Sequence, residues 1–432
     1  MNPPARATRA RLTAPLAHRD FRLLWTGLVV SLVGDGVFLV AVAWQAYAIA
    51  DRPSALAAVA LCASLSQIAL LPLGGVISDR LSRRTVLLVS DLARGVALAA
   101  LAGAGWTGHL ALWHLCVAAA VIGAGTAFAA PAFDAVVPDL VPDRDLQQAN
   151  GLDQVIRPLS LRLLGPMVGG VLIAAAGTSG AFAVDAVSFA VSAWCVARMT
   201  LVAPPADAAG AVAGSLWADV REGASYVRAH VWLWGTFASA TITYLLFLGP
   251  TEVLLPYLVR NQLHGSARDL GLVLGSGGLG ALAAATVTGR RTRVGRPVTF
   301  MYLTWAGATL AVAGYGVVDR HWQLAVAAVV VNGLEAAGTV VWATLKQRLV
   351  PRELLGRVSS IDWLVSTALM PVSYALTPVA ASVFGVRGTL VGAGIIGACV
   401  TSGFLFLPGM RAPDRAFQDP PAHWDHDTAL AG

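Results

Sequence analysis

Four carboxylates stand inside long apolar runs: Asp35, Asp185, Glu252 and Glu335. A charge at the centre of a bilayer costs about 2.5–3.5 kcal/mol on insertion scales, so such residues need a reason to be there. Asp35 is flanked by Gly34 and Gly36, Glu335 follows Asn332-Gly333-Leu334, and Glu252 lies between Pro250 and Pro256. A carboxyl group held out of water exchanges a proton near neutral pH more readily than one at a surface. Asp35 and Glu335 are therefore the first candidates for a site that takes a proton or a cationic substrate, with Glu252 and Asp185 behind them. The other reading of each is a structural partner for an arginine or amide on a neighbouring helix.

The elements that must position these groups are membrane helices. Of 432 residues, 56% are hydrophobic and 12% charged, against about 25% charged in an ordinary soluble domain. The mean hydropathy is +0.68. A spanning helix needs about 20 mostly apolar residues. The sequence predicts twelve, at roughly 22–47, 54–77, 85–105, 110–132, 153–176, 180–200, 233–258, 269–289, 297–318, 322–345, 358–382 and 388–408. The separation between the fifth and sixth is the weakest.

Orientation follows from positive charge near helix ends. With the N-terminus inside, the inner segments carry 22 Lys and Arg and the outer loops five, which predicts cytoplasmic N- and C-termini. Residues 1–21 form an arginine-rich tail without a signal-peptide core, and 409–432 a second tail. Between the sixth and seventh spans, residues 201–232 are polar. There Leu216, Val220, Ala224 and Val227 recur at helical spacing, which predicts an amphipathic helix on the inner surface. This linker divides the chain into six-helix sets at 22–200 and 233–408. Leu140-Val141-Pro142 and Leu349-Val350-Pro351 follow the fourth and tenth spans, 209 residues apart. That echo points to a duplicated fold of the kind that places a substrate site between its repeats.

Three further motifs carry chemistry or geometry. The second-to-third loop reads Gly75-Val76-Ile77-Ser78-Asp79-Arg80-Leu81-Ser82-Arg83-Arg84. Its aspartate and three arginines form a charged latch, and its glycine permits close helix approach. Asp91 and Arg94, three apart on the third span, are placed to pair. Asp362, at the start of the eleventh, is placed to meet the Arg80–Arg84 loop, and Arg157 and Arg162 low on the fifth join this gating network. The fifth span also contains Gly165-Pro166-Met167-Val168-Gly169-Gly170, in which proline interrupts the helical ladder and small residues allow close crossing.

With these motifs the chain resembles the major facilitator superfamily. The loop is similar to its signature GxxxDRxGRR, with Ser82 in place of a glycine. The fifth span is similar to its antiporter motif GxxxGPxxGG, with Leu161 in place of the first glycine. Gly34-Asp35-Gly36 and the stretch from Ala127 through Pro131 to Pro142 resemble the bacterial branch of macrolide, tetracycline-type and siderophore exporters. The resemblance implies an all-α integral membrane fold of twelve transmembrane helices in two six-helix bundles around a central cavity, working by alternating access. It also implies that the loop touches the opposite bundle in one gating state.

The remaining signals point away from enzymes. Gly275-Ser276-Gly277-Gly278-Leu279-Gly280 fits GxGxxG, but no strand precedes it, and helix packing explains it better. No catalytic constellation, nucleotide loop or metal-ligand set is present, and no cofactor or nucleic acid is expected. The four cysteines have no paired spacing and read as small hydrophobes. Trp44, Phe247 and Trp342 are candidates to line a cavity. The expectation is a monomeric plasma-membrane exporter of an amphipathic small molecule, driven by proton entry. Uptake or uncoupled passage is the alternative, and a non-transporting sensor a remote one.

Overall fold

In lipid a spanning backbone must satisfy its own polar groups, which leaves apolar sequence of this length little choice but helix. The computed structural model describes residues 13–200, 216–289 and 295–418. Among these there is no strand. The first half contains α1 (Arg19–Ile49), α2 (Pro53–Arg80), α3 (Arg83–Trp106), α4 (Leu112–Leu140), α5 (Asp143–Arg157) and α6 (Gly165–Ala197). A polar helix, α7 (Leu216–Ala229), precedes the second half. That half holds α8 (Val231–Gly249), α9 (Leu255–Tyr257), α10 (Ala267–Gly289), α11 (Pro297–Val317), α12 (His321–Leu349), α13 (Arg352–Ala368) and α14 (Met370–Leu405). A short α15 (Ala412–Gln418) follows.

Ten stretches among the described residues are long and apolar enough to cross a membrane. Two of them, Val155–Ala197 and Arg357–Leu405, run for 43 and 49 residues. At 1.5 Å per residue each exceeds about 60 Å, twice a hydrocarbon core of about 30 Å. Each is broken near its middle by a glycine that no other residue type would replace easily: Gly177 at φ 71°, ψ 179°, and Gly385 at φ 71°, ψ 164°. These breaks fall where the sequence separates its fifth from its sixth span and its eleventh from its twelfth.

The two breaks lie 208 residues apart, matching the spacing of the repeated Leu-Val-Pro. Both copies of that tripeptide do the same structural work. α4 and α12 end at its leucine, the proline sits extended (ψ 154° at Pro142, 142° at Pro351), and a new helix begins at the next residue. Proline disfavours helical geometry in the residue before it and is well suited to the entry of the next helix.

Packing follows chain halves. α1 packs on α6, α2 on α4, and α3 on α4 and α6; in the second half α10 packs on α12, α11 on α12 and α14, and α8 on α14. The halves meet through α6 against α10 and α2 against α14. α7 lies against α13 and α8, its Val227 buried and its Glu222 paired with Arg357. The outward surface is apolar, with Val96, Val117, Val187 and Val383 exposed. Trp106, Trp113 and Trp322 are exposed at helix ends, as interface-anchoring tryptophans are.

Candidate functional site

Between Pro158 and Gly165 the fifth span is not α-helical but widens into a π-helix over Pro158–Leu164. Pro166 has no N–H to offer the carbonyl of residue 162, so the ladder there has to be rearranged. This segment carries Arg162. Its side chain is 54% exposed and approaches Glu335 Oε2 of α12 at 3.9 Å. Thr339 donates to Glu335 Oε1 at 3.3 Å. Tyr244 of α8 hydrogen-bonds Ser366 of α13 and feels the charges of Arg162, Glu335 and Asp362. A second π-helix, Pro250–Leu254, carries Glu252, whose carboxylate accepts a hydrogen bond from Tyr374. Glu252 is exposed to solvent-sized contact yet enclosed by protein and within the field of Arg162. That combination describes a group facing an internal cavity. Both π segments open on a proline, and such bulges recur at functional sites.

The other two carboxylates belong to a separate cluster inside the first half. Asp91 Oδ1 accepts from Arg94 at 2.7 Å and Asp91 Oδ2 from Ser192 at 2.6 Å. The Arg94 guanidinium stacks 4.4 Å above the Phe189 ring. Asp185 is fully buried; Ser188 donates to its Oδ1 at 3.0 Å, while its Oδ2 has no partner. Asp35 shares the field of Asp91, Arg94 and Asp185. Asp91 thus pairs with the Arg94 guanidinium, and Asp35 and Asp185 lie within its field. The glycines beside Asp35 bring it there: a side chain on Gly34 would strike Asp185 and Ser188, and one on Gly36 would lie 2.7 Å from the Gly165 Cα.

The antiporter-like glycines are contact points on two sides. Gly165 and Gly169 abut Gly36 and Val37 of α1, and Gly170 abuts Ala267, Arg268 and Gly271 of α10. Pro166 opens α6 immediately after the π segment. The GxGxxG run packs likewise, Gly275 on Met167, Gly277 on Asn332 and Gly278 on the backbone of Arg162.

At the end of the molecule opposite both described termini, the halves are clasped. Tyr47 donates to the Val253 carbonyl at 2.5 Å, and its ring meets Tyr257 edge-on at 5.3 Å. Arg260 donates to the Trp44 carbonyl at 2.5 Å and lies 4.9 Å over the Trp44 ring. Trp44 therefore serves this clasp, covered by Arg260. Phe247 is half-buried against the main core.

Several expectations need correction. Among the described side chains Asp362 meets neither Arg83 nor Arg84: it binds Lys346 and accepts from Trp342 Nε1 at 3.0 Å. Lys346 is the chain's single lysine, and a buried ammonium takes the carboxylate nearest in its own half. Trp342 does not line a cavity. It is 6% exposed and packs among Trp232, Phe237 and Trp305. Arg157 pairs with Asp153 at 2.7 Å, four residues earlier on α5, and Arg162 approaches Glu335 of the other half at 3.9 Å. Gly75, Asp79 and Arg80 fall where only the helical backbone of α2 is described. Arg83 binds Asp139, and Arg84 binds the Val196 carbonyl at 3.2 Å and that of Ala197, all in the first half. The clasp residues Tyr47 and Arg260 were not singled out by sequence; an arginine just beyond an apolar span looks like any loop charge.

Comparison with known proteins places this geometry. A family model described as transmembrane secretion effector matches residues 10–430. The chain is 21% identical over 382 residues to macrolide efflux protein A of Streptococcus pyogenes, covering 88% of this chain and 94% of that one. It is 26% identical over 386 residues to enterobactin exporter EntS of Citrobacter koseri, covering 87% and 90%. Its fold is similar to the crystal structure of a bacterial homologue of the iron transporter ferroportin in the inward-facing state, with a TM-score of 0.65, 18% identity and coverage of 89% and 98%. It is also similar to a bacterial homologue of the lysosomal transporter Spinster, inward-facing and unoccupied, with a TM-score of 0.66, 13% identity and coverage of 92% and 98%. The apolar helices, the small-residue crossings and the family match agree: this chain is a multi-pass membrane transporter, not an enzyme, and it belongs to the transmembrane secretion effector family of the major facilitator superfamily.

Proposed function

We propose that the chain exports an amphipathic small molecule across the bacterial plasma membrane by alternating access, coupled to proton entry. The observation that carries this reading is the meeting of Arg162 and Glu335, ionisable groups from opposite halves of the chain, 3.9 Å apart inside the membrane-spanning region. Groups so placed face substrate when the halves rock apart. The printed functions of macrolide efflux protein A and enterobactin exporter EntS support the outward direction. Counting each glycine-broken stretch as two crossings makes twelve, as two sets of six at 22–200 and 233–408, with both termini cytoplasmic and the chain acting as a monomer. The Tyr47–Arg260 clasp then closes the outer side, in keeping with the inward-facing state of the similar solved structures.

Coupling needs a proton and a substrate to bind one facing state differently. Asp35 and Asp185, crowded with Asp91 around Arg94, form the proton-binding side, and Glu335 with Glu252 the substrate side. The test is accumulation of amphipathic antibiotics and dyes in an efflux-deficient bacterial host expressing the chain, with and without a protonophore. Expression should lower accumulation several-fold. Protonophore and the Asp35→Asn variant should each abolish that difference while protein stays in the membrane. Unchanged export by Asp35→Asn would remove Asp35 from the mechanism, and raised accumulation on expression would mark uptake.

A further inference from the structure

Three arginines lie inside the predicted spans and away from their outermost residues: Arg94, Arg157 and Arg162. Two are saturated. Arg94 binds Asp91 at 2.7 Å and the Ser90 carbonyl at 3.3 Å, and Arg157 binds Asp153 through contacts of 2.7 and 2.8 Å. Arg162 differs. Among the described residues no side-chain hydrogen bond reaches its guanidinium, and its nearest carboxylate, Glu335, stands at 3.9 Å, beyond hydrogen-bond distance. A guanidinium carries five N–H donors in a planar fork that fits an oxyanion bidentately. An arginine set within a membrane-spanning segment, exposed and without a hydrogen-bonded protein partner among the described residues, is a functional-site candidate.

The surroundings say what arrives. Arg162 is more than half exposed, on a π-helical segment that turns it away from the ladder and into the space shared by α8, α12 and α13. Tyr244 and Thr339 add hydroxyls there. We propose that Arg162 is the substrate-reading residue, and that the transported molecule is an amphipathic organic acid whose carboxylate, or an equivalent acidic oxygen group, seats on its guanidinium in place of Glu335. This deepens the export reading and rests on it for the direction of movement. It departs from the expectation that Asp35 and Glu335 would take a proton or a cationic substrate. Glu335 becomes a competitor for the same cation, held loosely enough to be displaced.

The experiment is equilibrium binding to the purified full chain in lipid nanodiscs, using a panel of amphipathic aromatic carboxylic acids, each beside its methyl ester, with a rhodamine carboxylic acid and its ester as the fluorescent pair. Wild type should favour the acid by about tenfold or more, the range of a hydrogen-bonded charge pair. Arg162→Met should erase the preference while leaving ester binding intact, and Arg162→Lys should keep part of it. Glu335→Gln should strengthen acid binding, an outcome that a purely structural Arg162–Glu335 pair would not produce. Equal binding of acid and ester, absence of acid binding across the panel, a preference surviving in Arg162→Met, or weaker acid binding in Glu335→Gln would each overturn the proposal. Efflux in cells is read separately. Export of esters or cations without acid preference would sink this inference and spare the export reading, while acid binding without any efflux would do the reverse.

Discussion

Asp91 and Arg94 illustrate what a buried pair does for a membrane protein. Both are almost fully covered, at 5% and 9% exposure, and each fills hydrogen-bonding capacity the other leaves open. Removing one partner strands the other in a medium that cannot solvate it. Asp91→Asn should therefore destabilise the chain by about 3–5 kcal/mol, read as a lowered melting midpoint in detergent. The comparison is Asp319→Asn, which breaks the Arg387–Asp319 pair, whose Asp319 side chain is 81% exposed. Water takes over there, and the expected change is within about 1 kcal/mol. Sequence spacing alone announced the Asp91–Arg94 pair, because residues three apart on a helix are neighbours whatever surrounds them. It misplaced Asp362 for the complementary reason: Lys346 lies 16 residues away across a helix break, and only the folded chain brings it alongside.

The elements were legible because their signals are local. Apolar runs mark the helices, and Val-Pro marks two starts. The glycine breaks are a further local device. Gly177 and Gly385 adopt φ of 71° with ψ near 180°, a region essentially confined to glycine. Any side chain there is strained, although nothing lies within 4 Å of a Cβ built on either residue. Gly177→Ala and Gly385→Ala should each cost about 1–3 kcal/mol, measured by thermal melting. Similar costs at the two sites would support the reading of two equivalent turns in a duplicated chain, whereas a neutral result at both would make the breaks dispensable. The π segments were less legible. Proline predicts an interrupted ladder, but whether the helix kinks, widens or ends depends on which neighbour fills the gap. Around Pro166 the neighbour is α1, whose Gly36 touches Gly165, and α10, whose Gly271 touches the Pro166 carbonyl.

At the scale of the molecule, the clasp at Trp44, Tyr47, Tyr257 and Arg260 joins the halves through the Tyr47–Val253 and Arg260–Trp44 hydrogen bonds. One net hydrogen bond is worth about 1 kcal/mol, or about fivefold in an equilibrium. Tyr47→Phe and Arg260→Ala should each move the open-to-closed ratio at that end by about this factor, and the double variant by more. Spin labels at Ser54 and Ser382, which flank the same crevice, in a cysteine-free chain would report it as a second, longer distance in electron–electron resonance. A distance distribution unchanged in the double variant would show that helix packing alone holds this end shut.

Membrane residence, helical class and family were readable from the chain, because hydropathy, glycine and proline act on their own segments and need no partner. The pairing of charges was not. Arg162 and Glu335 belong to different halves, the Tyr47–Val253 bond spans 206 positions and the Arg260–Trp44 bond 216. Which acid meets which base over such separations is decided by how helices pack, since an ion in low dielectric is held by whatever lies within a few ångströms. The sequence therefore names the charged groups, and only the packed helices show that Arg162 of one half stands 3.9 Å from Glu335 of the other.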